Sequence, residues 1–527
     1  MCAGAAACTA AVGAFLLLRL TAWPPHEDET LALFVGRGSL RGLLDTVLGE
    51  RGGAPLHFVF AWIVAHLGGG LGSLRAVSAL FALASIPLVT ALAARLADRT
   101  VALLATAFAS ASWVLLFHGV YARMYSIFLF TSALSYLALL HALRHGGRRG
   151  WAAWVAAALL CVSTHPYGAL VLASQALYLA LVRERVREAA YAFGAVAVLG
   201  IPFWITDLVL AGRFDVGVGG RGERLGGPLP VVRYLGQVAA DFSAGPWSLP
   251  VVLPLVAAGA WWLARAHRRA ALLAAAAFAT PTAAFLVARL GSSAAPETRH
   301  LIFTLPFFAT LLAAGLIWIA RSARLAAMPL AASAVVVLLA AEVAWAWQKT
   351  PPLFTGDAKG RVAAREAASA WLAATGRPDD VLLGYEPIYL GAWERSPTFS
   401  RLVLPRADAR LAVRALEDAS GRLGRGVWLF DAYDTNNIVR RTTIPIRLPR
   451  PATRFEARAF GPYLVIRTRE ATGNPITYLE HAAAALVVGR MLKIGDADVN
   501  FDTVSRAAAL LDYEVSASDR SRSTSSR

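Results

Sequence analysis

Long apolar runs broken by short polar links fill the first two thirds of this chain, and a mixed pattern replaces them beyond Trp347. Runs long enough to cross about 30 Å of hydrocarbon recur at roughly 5–22, 74–95, 101–118, 124–143, 151–165, 168–182, 189–211, 249–264, 270–290, 300–320 and 325–347. The pattern predicts an all-α polytopic membrane protein with about eleven transmembrane helices. The links "ARLADRT", "RHGGRRG", "VRERVRE", "ARAHRRA" and "RSAR" are rich in arginine and alternate with arginine-poor ones. The positive-inside rule places these five in the cytoplasm, so "HEDET", "HGVYARMYS", "THPYG" and "SSAAPETRH" all fall on the opposite face. One site can then draw on all four.

The segment "APLHFVFAWIVAHLGGG" is apolar for only about a dozen residues before a glycine cluster, which suits an interfacial or re-entrant helix. Residues 24–73 therefore form a long first external loop, with "GRGSLRGLLDTVLGERGG" as an amphipathic helix along the surface. A second long external loop covers about 212–248, where "GVGGRGERLGG" is expected to be a flexible lid or disordered turn. Residues 348–470 read as a small extracytoplasmic α/β domain: "REAASAWLAATG" as a helix ended by glycine, and "DDVLLGY", "GVWLFDAY" and "YLVIRT" as short buried strands. Residues 471–527 hold helical "LEHAAAALVVGRMLK" and "VSRAAALLDYEV" and end in "SASDRSRSTSSR", expected to be disordered. The domains are then 1–347, 348–470 and 471–527.

Composition supports this picture, since 57% of the 527 residues are hydrophobic and only 16% charged. The net charge of +17 is concentrated in the short links, where membrane orientation explains it, and this argues against a nucleic-acid partner. Cys2, Cys8 and Cys161 sit in or beside apolar segments and form no disulfide framework or cysteine metal site. The first apolar run lacks a basic leading region and is followed by many more, so it reads as a retained helix and not a cleaved signal. No phosphate-cradling glycine loop, dinucleotide fingerprint or internal repeat is present.

The polar residues at the edges of the runs carry the candidate chemistry. His26, Glu27, Asp28 and Glu29 follow the first run directly. Three consecutive acids there can be a solvated loop start or a helix cap with favourable charge. They can also supply a general base tuned by burial, and His26, Asp28 and Glu29 could contribute to a divalent-metal site. Arg123 lies in a tight link between two apolar helices, flanked by Tyr121 and Tyr125. It can snorkel to lipid phosphates, or its planar fork can grip one phosphate bidentately. Arg299 and His300 offer a second such pair at another helix mouth, and His165 stands between two runs, either structural or in contact with substrate. One acidic cluster with scattered arginines suits transfer from a phosphate leaving group, which needs cations rather than a protonating acid. Most glycosidases instead need two opposed carboxylates.

The order of these features resembles the GT-C glycosyltransferases that use polyprenyl-phosphate sugars, the superfamily of protein O-mannosyltransferases and aminoarabinose transferases. The matching pieces are "EDET", "APLHFVFAWIVAHLGGGLGSLRAVSALF", "YARMYSIFLFTSALSYLALL", "THPYGALVLASQALYLAL" and "TRHLIFTLPFFATLLAAGL", which together span most of residues 20–320. The resemblance implies an inverting displacement outside the inner (plasma) membrane, from a polyprenyl-phosphate sugar donor to an extracytoplasmic protein, lipid or glycan. It implies that Asp28, with Glu29 beside it, activates the acceptor, and that Arg123 and Arg299 contact the phosphate. The family usually shows an acidic pair where this chain has three acids, which leaves open the choice of base. A transporter or lipid flippase would also bury arginines and carboxylates, but would more often place them near the midplane of repeated halves. A non-catalytic envelope-assembly protein would leave the acidic loop without a purpose.

Overall fold

The computed structural model describes residues 1–21, 25–214, 228–287, 297–322, 328–349, 358–404, 416, 423–431, 455–461, 463–475, 477–478, 481 and 485. The chain divides into two compact units. One comprises Met1–Trp23, Val35–Asp215 and Gly220–Leu353; the other comprises Pro24–Phe34, Val216–Gly219 and Phe354–Arg527.

The first unit is helical. Among the described residues, seven helices are long and apolar enough to cross a membrane: Cys2–Arg19, Leu71–Leu96, Tyr125–His145, Pro246–Ala266, Arg268–Val287, Thr298–Ser322 and Ala332–Lys349. Two bent pairs, Arg99–Ala111 with Trp113–Val120 and Val186–Leu199 with Ile201–Ala211, raise the number to nine if each pair is one span. The runs at 101–118 and 189–211, uniform in hydropathy, are thus broken by 52° and 61°. Ser112 adopts an extended ψ of 132° at the first break, and Gly200 followed by Pro202, which lacks an N–H to continue the ladder, marks the second. Gly147–Thr164 and Gly168–Val182 complete the apolar helices.

Polar side chains tie these helices where lipid offers no hydrogen bonds. Tyr136 Oη meets Ser174 Oγ at 2.6 Å, and Gln175 accepts from Trp154 Nε1 at 2.8 Å while donating to Ser135 Oγ at 2.9 Å. Pro55–His66 is a separate twelve-residue helix, as its length suggested. Before it, Leu40–Asp45 is capped by Ser39, whose Oγ accepts from Gly42 N–H at 3.1 Å, and continues as a π-helical turn over Thr46–Arg51. In the second long loop the segment "GVGGRGERLGG" lies outside the described residues, but Pro228–Phe242 is a helix that buries Val231, Tyr234 and Val238.

The second unit carries a five-stranded sheet. In chain order its strands are β1 (Val381–Leu383), β2 (Leu402–Leu404), β3 (Gly426–Asp431), β4 (Phe455–Phe460) and β5 (Tyr463–Thr468). They lie in the order β2-β1-β3-β5-β4. β1 runs parallel to β2 and β3, while β5 pairs antiparallel with both β3 and β4. β1, β3 and β5 fall inside the three segments read as strands. β2 and β4 were not anticipated, being a three-residue edge strand and the charged "FEARAF". The helix Ala358–Thr375 ends before Gly376, and buried Asp380 holds Arg425 through Nε at 2.9 Å and Nη2 at 2.8 Å. The C-terminal segments "VSRAAALLDYEV" and "SASDRSRSTSSR" lie outside the described residues, as does most of "LEHAAAALVVGRMLK".

Candidate active site

The acidic segment opens the helix Glu27–Gly36 and belongs, up to Phe34, to the second unit. The four N–H groups left without intrahelical partners at a helix start attract carboxylates. Glu29 supplies one in capping-box fashion: its Oε2 accepts the His26 N–H at 3.0 Å, and the Glu29 N–H returns to His26 O at 3.0 Å. Glu29 is buried, whereas the Asp28 side chain is 40% exposed. The Asp28 N–H donates to His26 Nδ1 at 3.1 Å, so that nitrogen is an acceptor and its proton sits on Nε2. The 4.0 Å approach of Asp28 Oδ2 to the same nitrogen is therefore not an ion pair.

The helix is fastened within its unit by Thr30, whose hydroxyl donates to Tyr385 O just after β1. Phe34 adds edge contacts with Tyr385 and Trp393 at ring separations of 5.4 and 4.6 Å. Glu29 is thus committed to building the turn, and Asp28 is its half-exposed carboxylate.

The remaining residues singled out in the sequence lie in the first unit, and the structure gathers all six. The kink after Ser112 carries the chain through His118 to a tight turn in which the Arg123 N–H donates to Tyr121 O at 2.7 Å. The helix Tyr125–His145 starts immediately afterwards. The Tyr125 ring lies 5.7 Å from that of His165 and 5.8 Å from that of His300, and these two imidazoles are 5.3 Å apart. Tyr121 joins through His118, at 6.1 Å. Arg299 stacks its guanidinium 5.1 Å from the Tyr125 ring and pairs with Glu297 at 2.7 Å. Arg123 and Arg299 both act electrostatically on buried His165.

Backbone bonds fix the tautomers. The Tyr167 N–H donates to His165 Nδ1 at 3.0 Å, and the Glu297 N–H to His300 Nδ1 at 3.1 Å as half of a reciprocal cap. Each ring then carries its proton on Nε2, and that of His300 faces Tyr125 Oη at 3.4 Å. The cluster thus combines two guanidinium groups with two oriented N–H donors, an arrangement suited to an anion and its polar substituents.

Several residues of this cluster escaped the sequence argument. Lys349, at the end of the last long helix, pairs with buried Asp241 and lies 3.8 Å over the Trp113 ring. Asp241 also accepts from Thr298 Oγ1 at 2.8 Å. Tyr234 Oη donates to Glu297 O at 3.0 Å. Their one signal was position, since Lys349 closes an apolar run much as Arg123 opens one. His57 and His118, both buried, were also passed over.

Among the described residues no group of three or more His, Cys, Asp or Glu side chains is placed to hold a metal ion. His26, Asp28 and Glu29 do not form such a group, and His26 Nδ1 and Glu29 Oε2 each accept a backbone N–H.

No family profile and no curated protein sequence matches the chain. Among solved structures it is similar to ArnT from Cupriavidus metallidurans bound to undecaprenyl phosphate, at 15% identity and a TM-score of 0.51 over 88% of this chain and 97% of that one. The oligosaccharyltransferase of Archaeoglobus fulgidus, in complex with Zn and sulfate, aligns at 11% identity and a TM-score of 0.49 over 81% of this chain and 68% of its own. The ArnT likeness covers residues of both units, and the fold it shares is that of a multi-helix membrane protein with a small sheet-containing unit.

Proposed function

We propose that the chain is an integral-membrane glycosyltransferase that moves a sugar from a polyprenyl phosphate to an acceptor on the extracytoplasmic face of the inner membrane, with inversion. The observation that carries this is the gathering of Arg123, Arg299, His165, His300 and Tyr125 from three separate stretches of sequence into one cationic, aromatic cluster. Arg123 and Arg299 hold the phosphate, and the His165 and His300 Nε2–H groups help orient it. Stabilising the anion that develops on the phosphate is the largest catalytic contribution.

Asp28 is the base. It takes the proton of an acceptor hydroxyl as that oxygen attacks the anomeric carbon, and the bond from that carbon to the phosphate oxygen breaks on the opposite side. Polyprenyl phosphate leaves as a stable anion and needs no protonating acid. Glu29 acts by shaping the turn that presents Asp28. The solved ArnT holds undecaprenyl phosphate, which supports a lipid phosphate as the donor's carrier here.

The test is transfer of radiolabel from polyprenyl-phosphate sugars to an envelope extract by purified, reconstituted protein. Wild type is expected to transfer label, and Asp28→Asn and Arg123→Ala are each expected to lose about a hundredfold or more while remaining folded. Arg123→Lys does not rescue, since a point charge cannot replace a planar fork. Movement of lipid or solute across the bilayer with no transfer from any donor would replace this reading with transport.

A further inference from the structure

Two buried histidines beside the cationic cluster have no part in the chemistry above. His57 is 2% exposed and His118 1%, and neither ring nitrogen of either residue has a hydrogen-bond partner among the described residues. Buried polar groups are almost always paired, and each one left unmade costs about 1–3 kcal/mol. His118 borders the site, and the charge of Arg123 reaches both residues. His118 packs against Tyr125 and Tyr121 at ring separations of 4.7 and 6.1 Å, and Arg123, Arg299 and Lys349 all act on it electrostatically. Arg123 acts on His57 as well. The backbone follows an unusual path just before His57: Gly52, Gly53 and Ala54 have φ of +72°, +68° and +47° in succession before the helix begins at Pro55. A non-glycine residue in that region stores strain of order 1–3 kcal/mol, commonly found at functional positions.

We propose that His57 and His118 bind hydroxyl groups of the donor sugar, and that the sugar is a neutral pentose or hexose. The inference rests on the polyprenyl-phosphate reading above. A neutral imidazole offers one donor and one acceptor, the same pair that a hydroxyl offers; a phosphate, which only accepts, is better served by the arginines. A cationic amino sugar is disfavoured in this cluster, because its carboxylates Glu297 and Asp241 are already paired with Arg299 and Lys349. Its ammonium would then meet guanidinium groups in a poorly solvated site.

The experiment measures binding of the full-length protein in nanodiscs to undecaprenyl phosphate, and to undecaprenyl phosphate carrying mannose, glucose, arabinose or aminoarabinose. Wild type is expected to bind the bare lipid and to bind at least one neutral-sugar lipid about tenfold more tightly. His57→Ala and His118→Ala are expected to bind the bare lipid within about twofold of wild type and to lose most of the gain from the sugar. Gln at either position is expected to restore part of the gain, because its amide keeps a donor and an acceptor. A thermal-unfolding trace identifies a variant that has not folded, and the Gln variant then decides. Failure of wild type to bind undecaprenyl phosphate would overturn the donor reading itself. Binding of the bare lipid with no gain from any neutral sugar would overturn the histidine proposal alone, as would tightest binding of the amino-sugar lipid or equal loss of both lipids in the Ala variants.

Discussion

Adjacent on one helical turn, Asp28 and Glu29 differ in what their oxygens can do, because Glu29 Oε2 accepts the His26 N–H at 3.0 Å while the Asp28 side chain is 40% exposed. Substitutions at the two positions should therefore separate. Asp28→Asn removes the proposed base and is expected to lower kcat by about 10²–10⁴-fold. Glu29→Gln keeps an oxygen for the His26 N–H and is expected to retain most of the activity, whereas Glu29→Ala loses a cap worth about 1 kcal/mol and lowers kcat without raising the KM for donor. Steady-state kinetics on the three variants check this. Sequence alone could flag the acids but not divide their duties, since the division depends on which backbone N–H the longer side chain reaches. Arg123, Arg299, His165 and His300 were legible for a simpler reason: a charged or polar residue at the mouth of an apolar run needs a partner. His57 and His118 were not, because an isolated histidine within an apolar stretch looks the same whether it is satisfied or not.

Most helices were legible as elements from hydropathy alone, but their breaks were not. Nothing in the composition of 101–118 announces the 52° bend at Ser112, which packing imposes and which brings His118 and Tyr121 beside Tyr125. Close helix contact was equally hidden. Gly259 and Gly315 face one another across the helices Leu249–Ala266 and Leu305–Ser322 so closely that an added Cβ would stand 1.8 Å from Leu311 O or 2.0 Å from Leu255 O. Small residues allow such approach between membrane helices. Gly259→Ala and Gly315→Ala are expected to destabilise by about 1–3 kcal/mol through overpacking, while Gly194→Ala, where nothing lies within 4 Å, is neutral or slightly stabilising. Thermal unfolding of the purified variants distinguishes these outcomes.

Asp98 caps the helix Arg99–Ala111 through Thr100 and Val101 N–H, both at 2.9 Å, and pairs with Arg321 at 3.0 Å. Burial alone would raise its carboxyl, but the two backbone bonds and Arg321 outweigh it and hold it below the ordinary range. A depressed carboxylate contributes stability above its unfolded value of about 3.9, and that contribution is lost as the pH falls through the folded value. Asp98→Asn should accordingly flatten the fall in unfolding temperature below about pH 4 and leave the neutral region little changed in slope.

For the whole molecule, the least legible feature is that Pro24–Phe34 belongs with the C-terminal unit and not with the helices that flank it in sequence. Hydropathy assigns that stretch to an external loop. Only a contact across some 350 residues of chain, from Thr30 to Tyr385 O and from Phe34 to Tyr385 and Trp393, reveals what holds it. Asp28, the proposed base, and the proposed phosphate-binding cluster belong to different units, so mutation can test whether acceptor activation and donor binding are separable. Phe34→Ala and Trp393→Ala remove a buried aromatic contact from the unit that carries Asp28, and each is expected to lower kcat by tenfold or more. Donor affinity, proposed to rest on Arg123, Arg299 and their neighbours in the other unit, should remain within about twofold of wild type. The volume-conserving Phe34→Leu should recover much of kcat, because such exchanges usually cost less than about 1.5 kcal/mol. Paired measurements of transfer rate and undecaprenyl-phosphate binding decide the matter: loss of binding in step with transfer would mean that the C-terminal unit supports donor binding as well and that the division of labour is wrong.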